Sequence, residues 1–206
     1  MELIIQLIKS HLDVSEDALS EIAKRIVKRK LPRKAQILAP NDRQQTLIFL
    51  VKGVTRNFYR METKEWTSRF SQAGDLVLSI DSFLFDEPSK EYIECCTPIE
   101  FWEISKDDYH ELLAKYAELH VLVGKLSYCN LRLSTTRMYN WKMLTSVERY
   151  EQFCKEKPSL IKTVQGQHIA SYLGISAFDL SRIRRRFSQI KVSTFIFHLV
   201  DFLDIW

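Results

Sequence analysis

The stretch from 163 to 190, TVQGQHIASYLGISAFDLSRIRRRFSQI, restricts what this chain can fold into more than any other. Small and apolar residues stand where two short helices must cross closely: Ile169, Ala170 and Leu173 before a turn, Gly174 in it, then Ile175, Leu180 and Ile183. Ala170 lets the second helix approach, and Gly174 can take the positive φ that ends a helix without a Cβ clash. Ser176 is placed to cap the next helix, with Asp179 as an acidic residue in its first turn, where the positive helix end favours it. Arg182, Arg185 and Arg186 follow at i, i+3 and i+4 and share one face, while Leu180 and Ile183 turn inward. An ordinary helical hairpin with a solvated basic face would show the same apolar spacing. The agreement of spacing, cap and arginines favours a helix-turn-helix that lies in a major groove and meets phosphates through Arg.

With 206 residues the chain is long enough for two compact cores. The opening MELIIQLIKSHLD is broken by Lys9, His11 and Asp13, which predicts neither a bilayer span nor a secretory signal, and hence a cytoplasmic protein without membrane contact. Cys95, Cys96, Cys129 and Cys154 lack metal-ligand spacing, and adjacent Cys95 and Cys96 point to opposite faces of a strand. Of the net charge of +4, all resides in the last third. Residues 142–206 hold ten Lys and Arg against six Asp and Glu, whereas residues 1–141 hold twenty of each. Such asymmetry fits one domain that meets a polyanion and one that does not.

Residues 1–26 are predicted helical, with a second start at Ser15. Lys24–Lys34 contains seven basic residues in eleven, read as a solvated edge balanced by acids elsewhere in the domain. From 35 to 104 the pattern changes to short β-branched and aromatic strands, which suggests a small antiparallel roll or barrel. Residues 105–141 return to helix, where Leu119, Leu122, Leu126, Cys129 and Leu133 alternate by three and four as a dimer seam would. Thr145 with Glu148 predicts a capping box that opens the helix VERYEQFCK, ending before Pro158. The apolar tail 194–206, TFIFHLVDFLDIW, is too short to span a membrane and is expected as a helix docked on the C-terminal domain or across the dimer.

HIASYLGIS followed by LSRIRR, and FLVKGVTRNFY leading to FSQAGDL, resemble the Crp/Fnr (catabolite activator/fumarate-nitrate regulator) transcription regulators over most of the chain. The resemblance implies an α+β chain. Its parts would be a β-roll of the cyclic-nucleotide-binding, double-stranded β-helix kind with N-terminal helices (1–116), a dimerisation helix and hinge (117–141), and a winged helix-turn-helix with the apolar tail (142–206). It implies double-stranded DNA and a second copy of the chain as partners, with RNA polymerase as a further one, and an unknown small-molecule effector or none. The DNA-facing set is Gln167 and His168 on the first helix, with Ser176, Ala177, Phe178, Ser181, Arg182, Arg185 and Arg186 on the second. Phe178 replaces a polar reader and offers contact with a thymine methyl but no bidentate hydrogen bond. In place of the family's Gly-Glu pair for ribose stand Leu78 and Ser79. In place of its Arg pair for cyclic phosphate stand Ser89 and Lys90. Charge-assisted hydrogen bonds contribute roughly 1.5–3 kcal/mol each, so losing two weakens binding by about two to four powers of ten. A branch that does not answer to cyclic AMP is expected; were the pocket filled by side chains such as Leu76, Leu78 and Phe83, the chain would bind DNA without an effector.

No cofactor is expected. The first cysteine is Cys95, so the N-terminal cysteine group of an iron–sulfur sensor is lacking, and His11, His110, His120, His168 and His198 are too scattered to suggest haem. A cupin-like enzyme would need a His/Glu metal cluster on facing strands, yet residues 35–104 contain no histidine. A small-molecule-binding module whose helical end contacts protein would show an acidic or neutral face at 177–190, which the arginines oppose.

Overall fold

The computed structural model describes residues 6, 8 and 14–187. The expectations for the tail 194–206, for a wing beyond the second helix and for most of the first predicted helix lie outside these residues. Ser15 begins helix α1 (Glu16–Arg25), its hydroxyl accepting from the Ala18 amide at 3.3 Å. Eight strands follow: β1 (Val27–Leu31), β2 (Gln36–Leu38), β3 (Thr46–Lys52), β4 (Thr55–Met61), β5 (Lys64–Ser71), β6 (Leu76–Val77), β7 (Tyr92–Cys95) and β8 (Ile99–Ser105), with a short helix α2 (Ile80–Leu84) after β6. They form two four-stranded antiparallel sheets, ordered β1-β8-β3-β6 and β2-β7-β4-β5. This is the roll.

Strand periodicity decides what fills it. On β3, Ile48 and Leu50 turn into the roll while Phe49 turns out, and on β8 Ile99 and Phe101 turn in while Trp102 and Ile104 turn out. The inward set meets Leu38, Val77, Ile93 and Cys95 as one core, and the outward set is covered by helices. Gly53, between β3 and β4, has φ +93°, and a Cβ there would lie 2.3 Å from the Pro98 carbonyl oxygen, so the turn admits no side chain. The basic run around β1 is an exposed edge. Arg25 pairs with Glu21 and Asp108, Lys28 and Lys30 with Glu100, and Arg29 with Glu103.

Helix α3 (Lys106–Lys115), capped by Ser105, leads through Tyr116 into the 27-residue helix α4 (Ala117–Met143). The expected dimer seam divides here. Leu119 and Leu122 are buried within their own chain against Phe49, Leu112, Tyr116 and α1, and Leu126 is half-buried beside them. The outward side of β3 and β8 needs a cover, and the first turns of α4 supply it. Cys129 and Leu133 are exposed. Among the described residues an exposed apolar face runs instead through Val121, Gly124, Tyr128, Leu131, Thr135 and Met138, also spaced three and four, with Val121, Tyr128, Leu131 and Met138 all at least half exposed.

The last third is helical: α5 (Ser146–Glu156), α6 (Pro158–Thr163), α7 (Gly166–Leu173) and α8 (177–187). Thr145 and Glu148 make the full capping box at the start of α5, and the helix stops before Pro158. Tyr150, Phe153, Leu160, Ile169, Ala170, Leu173, Leu180 and Ile183 form this core, which also takes in Val54, Phe70 and Cys96 from the roll. Adjacent Cys95 and Cys96 do face opposite ways. Cys95 enters the roll and Cys96 the helical core, and burial pushes both thiols up to about 12.

Candidate nucleic-acid interface and effector cavity

Helix α7 ends as its sequence requires. Gly174 takes φ +68°, and its amide and that of Ile175 return to carbonyls of the last turn. Across the turn the Asp179 amide donates to Ser176 Oγ at 2.9 Å, and that hydroxyl donates to Asp179 Oδ2 at 2.7 Å. The Asp is too short to reach back to the backbone as a Glu would, so it holds the hydroxyl instead. Its other oxygen accepts from Arg182 at 3.0 Å, an exposed i,i+3 pair that leaves the guanidinium on the surface. Ala177, Phe178, Ser181, Arg182, Arg185 and Arg186 are all exposed, while Leu180 and Ile183 are buried beneath them. The inward apolar and outward cationic sides of the helix are thus as the spacing predicts.

Gln167 is exposed, its amide donating to Gln165 Oε1 at 3.1 Å. His168 is placed apart from the arginine face. It is half-buried in a cleft against the roll, lined by Arg33, Lys34, Arg56, Glu65 and Glu94. Burial, with the Arg56 guanidinium nearby, holds its pKa below the usual imidazole value. The cause is the docking of α7 on β5, the outer strand of the second sheet. Thr67 N donates to Ser171 Oγ at 2.8 Å and that hydroxyl donates to the Glu65 carbonyl at 2.6 Å, so Ser171, one turn after His168, bonds directly to the sheet edge. Trp141, near the end of α4, lies against the turn, within 3.4 Å of where a Cβ on Gly174 would be.

A cavity of about 550 Å³ opens between the roll and the helices. Of the four residues expected to form an effector site, Leu78, Ser79 and Lys90 line it. Each is otherwise engaged. The Leu78 carbonyl accepts from Asn57 Nδ2 at 3.2 Å, the Ser79 amide donates to Gln44 Oε1 at 2.8 Å, and the Lys90 ammonium lies 3.7 Å from Asp81 at the exposed rim. Ser89 sits behind the wall, its buried hydroxyl bonded to the Glu91 backbone. Phe83 does not fill the space, being buried against Tyr109, and Leu76 packs with the outer helical cluster. The polar centre of the wall is Glu91, which the sequence reading passed over. The period of β7 could have found it, since Glu91, Ile93 and Cys95 are all buried on one side of the chain. Desolvation raises the Glu91 carboxyl above the usual range, opposed by hydrogen bonds from Asn57, Ser79 and Ser68.

Roll, long helix and capped helix-turn-helix together are the fold of the Crp/Fnr regulators. In particular, the chain is similar to FixK2 from Bradyrhizobium japonicum (TM-score 0.71, 13% identity, 81% of this chain and 86% of that one). It is also similar to a protein assigned to the Crp/Fnr transcriptional regulators from Eubacterium rectale (0.69, 17%, 87% and 85%) and to the global regulator CLP of Xanthomonas campestris (0.65, 16%, 86% and 93%). The likeness is one of fold. No protein-family profile matches the sequence, and no curated protein matches it by sequence. Among the described residues no helix is long and apolar enough to cross a membrane, and no three His, Cys, Asp or Glu side chains group as metal ligands would.

Proposed function

We propose that this chain is a sequence-specific DNA-binding transcription regulator that acts as a homodimer on a palindromic site and does not answer to cyclic AMP. The observation that carries the reading is the capped helix 177–187, which buries Leu180 and Ile183 and presents Phe178, Arg182, Arg185 and Arg186 to solvent. A helix of this form fits a major groove, with arginines for phosphates and guanine edges and Phe178 for a thymine methyl. Gln167 and Ser176, both exposed, flank it as phosphate contacts. His168 enters the interface only if α7 leaves β5. Two copies joined along Val121, Tyr128, Leu131 and Met138 would present two such helices to successive grooves of one duplex, about 34 Å apart. The exclusion of cyclic AMP is supported by the cavity wall: Ser89 and Lys90 stand where the family's Arg pair would meet the cyclic phosphate, the buried Glu91 carboxylate follows them, and the Lys90 ammonium is paired with Asp81.

Selection of genomic DNA fragments by the purified protein tests this directly, and the expected product is an inverted repeat. In fluorescence anisotropy the affinity should fall steeply with salt, and Arg185→Ala should reduce the salt slope by about one if that side chain meets a phosphate. Fragments without shared sequence, or wild-type affinity in Arg182→Ala and Arg185→Ala together, would overturn the reading.

A further inference from the structure

The cavity between roll and helices is bounded by neutral, aromatic and charged groups whose commitments can be followed one by one. Glu91 is 8% exposed, and among the described residues its carboxylate makes no ion pair, receiving instead the Ser68 hydroxyl at 3.3 Å with Asn57 and Ser79 nearby. Asn57 is 2% exposed; its Nδ2 donates to the Leu78 carbonyl at 3.2 Å and also helps hold Glu91, while its Oδ1 is buried with no hydrogen-bond partner. Of the five cations that line the same space, Arg69, Lys90, Arg137 and Arg149 are engaged elsewhere, and the fifth is Lys157. Arg69 donates to the Leu76 carbonyl at 3.2 Å, and Arg149 donates to the Leu173 and Leu144 carbonyls. Arg137 donates to the Thr67 carbonyl at 3.4 Å and stacks over Tyr172 at 4.5 Å, and Lys90 is paired with Asp81.

Among the described residues, what Glu91 lacks is a cation in ion-pair contact, and what Asn57 Oδ1 lacks is a donor. A buried acceptor without a partner and a buried carboxylate held only by neutral donors both carry a desolvation cost that a cationic donor would relieve. We propose that the cavity binds a small organic amine, its ammonium group seated on Glu91 and Asn57 and its apolar body against Tyr59, Trp141 and Tyr172. An ammonium supplies three donors and the missing charge, and charge-assisted hydrogen bonds are roughly twice as strong as neutral ones. A carboxylate or phosphate would bring a second negative charge to Glu91, and a hydroxyl would leave the first uncompensated. Because Arg137 already lies over Trp141 and Tyr172, the aromatic walls suit the hydrocarbon body and not the charged head, and the volume lies within the range of small-molecule sites. The regulatory meaning of such a ligand rests on the DNA-binding reading above; its binding does not.

The test is calorimetric titration of the full chain, without DNA, with 2-phenylethylamine and with 3-phenylpropionate, which share a body and differ in the charge of the head. The amine should bind with a millimolar or tighter dissociation constant and the acid should not. Glu91→Gln, nearly equal in shape, should weaken the amine at least ~tenfold while its circular dichroism stays native. In the wild type, the amine should shift the NMR signals of the Asn57 side-chain amide and of Ser79, a measurement that holds even if the variant fails to fold. Equal binding of both probes, no amine binding at millimolar concentration, an unchanged affinity in Glu91→Gln, or shifts confined to other surfaces would overturn the proposal. Lost amine binding beside intact DNA binding removes this site alone, and the reverse outcome removes the regulator reading alone.

Discussion

Replacing Leu131 with Glu separates association from folding. Leu131 is 60% exposed and contributes little to the protomer's own core. Burying a whole leucine stabilises by about 2–3 kcal/mol, so covering the exposed share yields about 1.5 kcal/mol per protomer, or about 3 kcal/mol for a symmetric pair. Removing that alone shifts the dimer dissociation constant by about two powers of ten, and two facing carboxylates add to it. The protomer should stay folded, since exposed substitutions outside special contacts alter stability by only about 0.5 kcal/mol. The matched control is Leu122→Ala, at a position 7% exposed in the same helix, which should cost about 2–5 kcal/mol of folding stability. Sedimentation equilibrium over a concentration series reads the first effect, and denaturant unfolding of the isolated protomer reads the second. An unchanged dimer constant in Leu131→Glu would refute the assignment of this face to the partner. So would a loss of protomer stability equal to that of Leu122→Ala.

Ser171→Ala should lower stability by about 1–3 kcal/mol, because it leaves the Thr67 amide, on a residue 2% exposed, without its acceptor; chemical denaturation measures this. Gly53→Ala should cost more than about 1 kcal/mol from φ +93° and the clash with the Pro98 carbonyl, and Gly124→Ala, with no atom within 4 Å of its Cβ, should be tolerated by the protomer. The raised pKa of Glu91 fixes the sign of a pH effect. A carboxyl whose folded pKa lies above its unfolded value contributes stability that is complete below the unfolded value and is lost as pH rises through the folded one. Thermal unfolding of Glu91→Gln should therefore improve relative to the wild type from acid to neutral pH, and a constant difference would refute the assignment.

The features legible in the sequence were those set by local chemistry. Gly174, Ser176 with Asp179, and Thr145 with Glu148 form their turns and caps from neighbours within a few positions, and the structure has them as spaced. The roll was legible as short alternating strands, since inward and outward residues follow the pleat. Position against distant elements was not. The apolar seam of α4 has two readings two residues apart, and only the need to cover Phe49, Trp102 and Ile104 assigns Leu119 and Leu122 inward. His168 was grouped with the arginines because it shares their motif, whereas α7 turns it towards Arg56 and Glu94 on strands far away in sequence. Glu91 lies just before β7, and the groups that bury and hold it, Asn57, Ser68 and Ser79, are distant in sequence.

Strand β5 is the last of its sheet, and the helix that seals it belongs to the half of the molecule that would read DNA. Lifting that half away would lay open a row of backbone groups on which a strand from another molecule could build, a standing invitation to aggregate. A reorientation that pivots with α7 still over the strand would keep those groups covered, whereas outright separation of the two halves would expose them.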